Sequence, residues 1–397
     1  MIPDAIPTVA VLIGAAWPEN DSSGPVQSVR QIADFLKHDV RFELFARNGA
    51  PVERPRIASG TRLAMPWGGI TFCEVGPLGA RGLISAVRAC RPDRLWLNSV
   101  WDREFTLPAL LARRLGRLPD VPVLLSTRGE FASGALAIHA RRKRVLRGAL
   151  GLTGLLGGVT MHVTGAGEAA DVRRAMPGAA ILDANNLRGI EPLPRHQPAP
   201  TQALRLLFLG RISPVKGLHN ALNALAIVER PVLMAIHGPV HDQDYWKLCQ
   251  AQIAALPPHV SVEVLGPVAN RDAAAAYARA DLFINVSASE NFGHTIFEAL
   301  ASGTPVLTGL HTPWNGLEPD RAGFNRASED PQAVAEAIDQ FAVLSSAERA
   351  CWRAGARQRA ERFVANQDAI ATWRTWLGAA TGTPQPTVPA ALAGERR

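Results

Sequence analysis

The chain has 397 residues, 47% of them hydrophobic and 19% charged; the length favours two domains and the composition excludes wholesale disorder. The cysteines, Cys73, Cys90, Cys249 and Cys351, are scattered and form no C-x-x-C pair, which argues against a zinc site or a disulfide framework. The net charge of +7 is lodged in the first half: residues 1–200 hold 25 Lys+Arg against 17 Asp+Glu, and residues 201–397 hold 17 against 18.

No charged stretch followed by an apolar run opens the chain, so no signal peptide is expected and a reducing cytoplasm fits. Strand-like runs then alternate with helical ones. In the first half the strands are VAVLIG (9–14), ITFCEV (70–75), RLWLN (94–98), VLLST (123–127) and VTMHV (159–163). Helical patterns lie between them, for example over 26–36 and 105–115. The run RRKR, Arg141, Arg142, Lys143 and Arg144, is the densest positive cluster, with Arg147 following. It reads as a solvated helix face, or as a patch for a phosphorylated acceptor or an anionic membrane surface. No aromatic-interleaved basic motif points to nucleic acid. Residues 148–167 carry no formal charge over nearly the length of a membrane helix, yet seven of them are glycine. A helix end followed by a core strand is the better reading.

The stretch EPLPRHQPAPTQA (191–203) holds four prolines and no periodicity, and reads as a linker. The alternation restarts with LRLLFLG (204–210), PVLMAIHG (231–238), SVEVLG (261–266), DLFINVS (281–287) and TPVLTG (304–309). Short apolar strands interleaved with helices imply parallel sheets covered on both faces. The expected architecture is therefore α/β, with a Rossmann-like unit over 1–190, the linker, and a second over 204–365. Ligands of such sheets sit outside the carboxyl ends of the strands, here in the cleft between the two units. Ala369, Ile370, Trp373 and Leu377 form one helical stripe, and a terminal helix over 366–380 is expected to cross back onto the first unit. The Pro-rich tail 381–397 reads as disordered.

Two motifs carry chemistry. In LFLGRISPVKG (207–217) a strand and Gly210 are followed by Arg211 and Lys216 at the mouth of a helix, a placement that suits a pyrophosphate. In SENFGHTIFEALASG (289–303), Gly293 opens a helix whose first N–H groups lack internal partners. Glu290 precedes it, and Glu298 lies about 1.4 turns into it. A carboxylate bonds well to a vicinal diol, as in ribose recognition. A nucleotide diphosphate carrying a sugar offers two polyols with a pyrophosphate between them. His237 sits at a strand end facing the cleft, and Gly238 beside it is expected to let the nucleotide pass. The loop 265–271, with Val268, is placed against the base.

GRISPVKG and SENFGHTIFEALASGTPVLTG resemble the paired signatures of the group 1 (family 4-like) retaining glycosyltransferases, which have the GT-B fold. The resemblance is strong over 204–320. In the first half, DSSGPVQSV (21–29) resembles the glycine loop over the donor sugar, with Gly24-Pro25 where two glycines are common. STRGEFASGAL (126–136), followed by RRKR, resembles a variant of lipopolysaccharide and exopolysaccharide enzymes.

The resemblance implies transfer of a sugar from a UDP- or GDP-linked donor to a glycan or lipid-linked acceptor. Retained configuration and no required metal or other cofactor come with it. It also implies that Arg211 and Lys216 neutralise the leaving diphosphate, that Glu298 binds the ribose and that Glu290 binds the donor sugar. Asn291, Phe292, Gly293 and Thr295 would offer mainly backbone groups to the donor's sugar and phosphate, and His294 is a further candidate for a donor contact. The family commonly has a histidine near the donor sugar where this chain has Arg128, which is assigned to phosphate or acceptor. Rival readings are a phosphorylase or epimerase of related fold, and a nucleotide-binding protein without catalysis. The fingerprint G-x-G-x-x-G is missing after strand 9–14, which weakens a dehydrogenase reading.

Overall fold

The computed structural model describes residues 6–16, 23–49, 57–74, 76, 79–132, 150, 153–191, 203–366 and 368–379. The basic cluster Arg141 to Arg144 with Arg147, most of the linker and the tail lie outside these residues.

Two sheets organise the chain. The first contains β1 (Thr8–Leu12), β2 (Arg41–Arg47), β3 (Arg62–Met65), β4 (Gly68–Cys73), β5 (Arg94–Asn98), β6 (Val123–Ser126), β7 (Val159–Val163) and β8 (Ala180–Asp183). Their order is β3-β4-β2-β1-β5-β6-β7-β8, parallel throughout except for the edge hairpin of β3 and β4. Helices α1 (Gly24–Phe35), α2 (Gly79–Ala89), α3 (Thr106–Arg114) and α4 (Ala166–Ala175) accompany it. Both faces are covered, and β1 is VAVL over four residues with no exposure, as expected where a parallel strand is buried on both sides.

The second sheet contains β9 (Leu204–Leu209), β10 (Val232–His237), β11 (Val260–Gly266), β12 (Leu282–Asn285), β13 (Val306–Thr308) and β14 (Gly323–Asn325). All its pairs are parallel, in the order β11-β10-β9-β12-β13-β14. The order reverses between β9 and β12, and a crevice opens outside the carboxyl ends of strands that part in this way. The loops after β9 and β12 are GRISPVKG and VSASENFG. Helices α5 (Leu218–Leu225), α6 (Gln243–Ala254), α7 (Asn270–Arg279), α8 (His294–Ala301), α9 (Pro331–Ala342) and α10 (Ser346–Ala365) surround the sheet. The start of α10 is set by a capping box, in which Ser345 and Glu348 satisfy each other's backbone N–H.

A last helix, α11 (Asp368–Leu377), packs on the first sheet rather than the second. Trp373 is fully buried there, 4.9 Å from the Trp96 ring and 4.7 Å from the His162 ring, and its indole N–H donates to the Asn185 carbonyl. Arg374 adds a 2.9 Å ion pair to Asp39. Among the described residues no helix is long and apolar enough to cross a membrane, and residues 159–163 of the uncharged stretch form strand β7.

Four strands escape the sequence reading. β2, RFELFAR, buries Glu43 between hydrophobic neighbours, and that charge disguises a central strand. Glu43 is held by Arg41 at 2.9 Å and by Arg62 of β3 at 2.8 Å. β3, β8 and β14 are only three or four residues long, too short for a period to register.

Candidate active site in the cleft between the two sheets

The loop after β9 turns through Gly210 and Arg211 into a short 3-10 turn, Pro214–Lys216, ahead of α5. Arg211 is exposed and makes no ion pair among the described residues. Lys216 leans across the switch point, and its Nζ donates to Glu290 Oε1 at 2.6 Å. The same carboxylate oxygen accepts from the Ser287 hydroxyl at 2.8 Å and from Asn285 Nδ2 at 3.4 Å. The backbone N–H of Glu290 donates to the His311 carbonyl. The two charged residues that the motifs put forward separately therefore form one pair, fixed from below by the end of β12.

Gly293 is the N-cap of α8 with φ +74°, a left-handed conformation that favours glycine. A Cβ there would lie 2.9 Å from Ile296 and 3.3 Å from Trp314. The cap has no side-chain hydrogen bond, so the first N–H groups of α8 remain available at the cleft. Thr295 accepts from Asn285 Nδ2 at 3.1 Å. Phe292, expected to offer mainly its backbone, turns its side chain inward. Its ring is buried among Phe297, Trp314 and Phe363, and its carbonyl accepts the Trp314 indole N–H. It shapes the loop from beneath, and Trp314 is core.

Glu298, one turn on, keeps a quarter of its side chain accessible. Its carboxylate pairs with Arg188 Nη2 at 3.1 Å and accepts from the Tyr277 hydroxyl at 3.4 Å. Burial pushes the Glu298 carboxyl above its usual range, and Arg188 pulls against that shift.

On the facing side, Arg128 and Gly129 follow β6. Arg128 holds φ +52°, and Ser99, after β5, holds φ +73°. Such a conformation persists in a non-glycine residue only where its surroundings over-determine it. Here Glu168 of α4 accepts from Thr127 Oγ1 and Gly129 N, both at 2.6 Å, and from Thr164 N at 2.9 Å. Glu130 accepts from Val100 N at 2.6 Å and from the Ser99 hydroxyl. The Arg128 guanidinium donates to Asn98 Oδ1 at 2.6 and 3.2 Å. Burial pulls Arg128 down to about 10, against the upward pull of Glu168 and Glu130.

The two sides touch. A Cβ on Gly129 would lie 3.4 Å from Asn291, and one on Gly24, at the start of α1, would lie 3.2 Å from the His294 ring. His294 Nε2 is 3.0 Å from the Ser28 hydroxyl of α1. That hydroxyl donates to the Gly24 carbonyl, so His294 Nε2–H is the donor to Ser28. Nδ1 then accepts from Arg188 Nη1 at 3.1 Å. Burial and the charges of Arg188, Arg128 and Lys216 hold the imidazole well below its ordinary pKa, so it is neutral.

The remaining positions fall around this centre. His237 Nδ1 faces the Gly266 carbonyl at 3.2 Å and bridges β10 to β11. At φ +149° a Cβ on Gly238 would meet the Gly210 carbonyl oxygen at 1.8 Å, so the close approach of the loop after β9 already demands glycine there. Val268 is half-buried against the core beside α7 and α8. Sequence reasoning missed Arg188, Glu168, Asn98 and Ser28. Each is a common polar residue without a motif, and only its position in the fold singles it out.

A family model described as glycosyl transferases group 1 matches residues 190–359. The D-inositol 3-phosphate glycosyltransferase of Corynebacterium urealyticum is 30% identical over 183 residues, 43% of this chain and 41% of that one. The match thus spans less than half of that relative's length. Among solved structures, the sucrose-phosphate synthase of Thermosynechococcus elongatus superposes with a TM-score of 0.72 at 18% identity, covering 94% of this chain and 98% of the other. HepE of Anabaena, solved with UDP-glucose, gives a TM-score of 0.69 at 18% identity, covering 94% and 98%. The architecture is GT-B, two parallel α/β sheets whose carboxyl edges meet at a cleft. Both signature loops lie at that cleft, and the similarity to the group 1 glycosyl transferase model extends over residues 190–359, the part of the chain that carries them.

Proposed function

We propose that this protein transfers a sugar from a nucleotide sugar to a glycan or glycolipid acceptor, with retention at the anomeric carbon, in the synthesis of cell-surface polysaccharide or lipopolysaccharide. The observation that carries the reading is the Lys216–Glu290 pair, 2.6 Å apart, beside the uncapped start of α8. A cation and free helix N–H groups at one point meet the needs of a departing diphosphate.

In this reading the bond between the anomeric carbon and the diphosphate oxygen breaks. The charge that develops on that oxygen is met by Lys216, Arg211 and the first N–H groups of α8, which take the part a divalent cation plays elsewhere. Glu290 exchanges its bond to Lys216 for donor-sugar hydroxyls. Glu298 accepts from the ribose diol, and the loop at Val268 lies along the base. The donor is UDP- or GDP-linked; HepE, of like fold, was solved with UDP-glucose. Residues 1–190 hold the acceptor and 204–365 the donor, with the terminal helix tying the two together. Arg128 faces acceptor or phosphate at the first sheet's edge. Arg141, Arg142, Lys143 and Arg144 meet acceptor phosphate or anionic lipid at the inner face of the cell membrane, and neutralising them is expected to abolish salt-sensitive sedimentation with anionic liposomes.

The test is a panel of UDP-, GDP- and ADP-linked sugars. The true donor raises the unfolding temperature, since a ligand at 100 times its dissociation constant adds about 2.7 kcal/mol. It is also slowly hydrolysed. A panel in which no nucleotide sugar stabilises or is consumed overturns the proposal.

A further inference from the structure

Arg188 lies in the irregular segment after β8, on the first sheet's side of the chain, yet its guanidinium is spent on the second. Its side chain is 9% accessible. Nη2 holds Glu298 Oε1 at 3.1 Å, Nη1 holds His294 Nδ1 at 3.1 Å, and Gln27 of α1 stands 3.5 Å from Nη1. The guanidinium carbon sits 4.9 Å over the Phe297 ring. His294, Phe297 and Glu298 are three positions of α8, the helix that bears the uncapped N-terminus.

We infer that Arg188 is a positioning residue of the donor site, aiming the Glu298 carboxylate and locking His294 in its Nε2–H tautomer. The geometry separates this role from that of a plain staple between the two units. A planar fork presents two N–H groups at a fixed angle, and here the two arms grip different side chains of one helix. Glu298 Oε1 is pinned by the charged arm, while among the described residues Oε2 has only the 3.4 Å contact from Tyr277. The carboxylate is therefore oriented at one oxygen and open to a diol at the other. His294, with Nδ1 engaged by Arg188, directs its single proton to Ser28 and so closes the Gly24 end of α1 over the cleft.

The Glu298 half of the inference rests on the ribose reading proposed above, and the His294 half does not. Two measurements on the full chain divide them. In the ¹⁵N spectrum of histidine-labelled protein, with the signal assigned by His294→Gln, His294 is expected to show a bare Nδ1 and a protonated Nε2. Arg188→Gln removes the fixed donor and is expected to mix the tautomers. Binding of UDP is then compared with 2′-deoxy-UDP, or the guanosine pair if the panel selects GDP. The parent is expected to prefer the ribonucleotide by on the order of tenfold, the worth of one hydrogen bond to a charged group. Arg188→Gln is expected to lose that preference and to weaken UDP by a similar factor, with circular dichroism unchanged. Arg188→Lys guards against a folding failure of the first variant; it keeps the charge, loses the fork, and is expected to recover affinity without recovering the tautomer. A folded Arg188→Gln protein with the parent's tautomer and the parent's preference overturns the inference. A parent that does not distinguish the two nucleotides overturns the ribose reading instead, and the tautomer alone then decides the role of Arg188.

Discussion

Replacing Lys216 with alanine separates chemistry from folding. The pair it makes with Glu290 is only partly sheltered, with side-chain accessibilities of 23% and 12%. Glu290 would keep the Ser287 hydroxyl at 2.8 Å and Asn285 at 3.4 Å, so it is not orphaned. The stability cost is accordingly that of one charge-assisted hydrogen bond, about 1.5–3 kcal/mol. The catalytic cost is larger. If Lys216 faces the diphosphate oxygen as charge develops, its loss resembles removal of a preorganised oxyanion donor, about 10²–10³ in kcat, or about 2.7–4 kcal/mol. Steady-state transfer with the donor selected by the panel reads the second quantity, and urea unfolding reads the first. Lys216→Arg, which restores a cation of different shape, is expected to recover part of the rate. Near-normal turnover in a folded Lys216→Ala protein would refute the assignment of this residue to the leaving group.

Transfer is expected to persist in EDTA, because the cations of the cleft are side chains; abolition by chelator with rescue by Mg²⁺ or Mn²⁺ would contradict this. Trp373→Ala is expected to cost about 3–5 kcal/mol, as for other buried large-to-small aromatic changes. A chain ending at residue 365 should unfold at lower temperature still, and equal melting of that chain and the parent would remove α11 from the account. His162 is buried between the Ser126 hydroxyl at 2.7 Å and the Ala184 carbonyl at 2.8 Å, and burial holds its pKa down to about 4. A pKa lower in the folded state means that the neutral ring's contribution is present above the ordinary pKa of 6.5 and is lost as pH falls toward 4. Its share of the slope is about 1.4 kcal/mol per pH unit in that window. Chemical unfolding of parent and His162→Gln across pH 7 to 4 should show the flatter profile in the variant, and parallel profiles would sink the assignment.

Much of this protein is local and therefore legible in its sequence. Apolar runs of four to seven residues declare most of the strands, and Ala369, Ile370, Trp373 and Leu377 declare a helix that must find cover. Arg211, Lys216, Gly293, Glu290 and Glu298 stand out because their spacing around strand ends and a helix start is itself the chemical signal. Even so, spacing does not show that Lys216 and Glu290 share one hydrogen bond, or that Phe292 turns inward to Trp314, since neither contact follows from neighbours along the chain. Gly238 illustrates the same limit: the sequence marks a glycine at a strand end, and only the pairing of β9 with β10 puts the Gly210 carbonyl where a Cβ would be. Glu43 hid β2 because a buried charge is tolerable only with partners, and Arg62 lies nineteen residues away. The far side of the cleft was least visible. Arg188 meets Glu298 across 110 residues, and Ser28 meets His294 across 266. Periodicity determines which elements form, because it reflects a helix or strand presenting one face to a core. Which side chains meet between two sheets is decided by how those sheets stack, and that is a property of the folded chain alone.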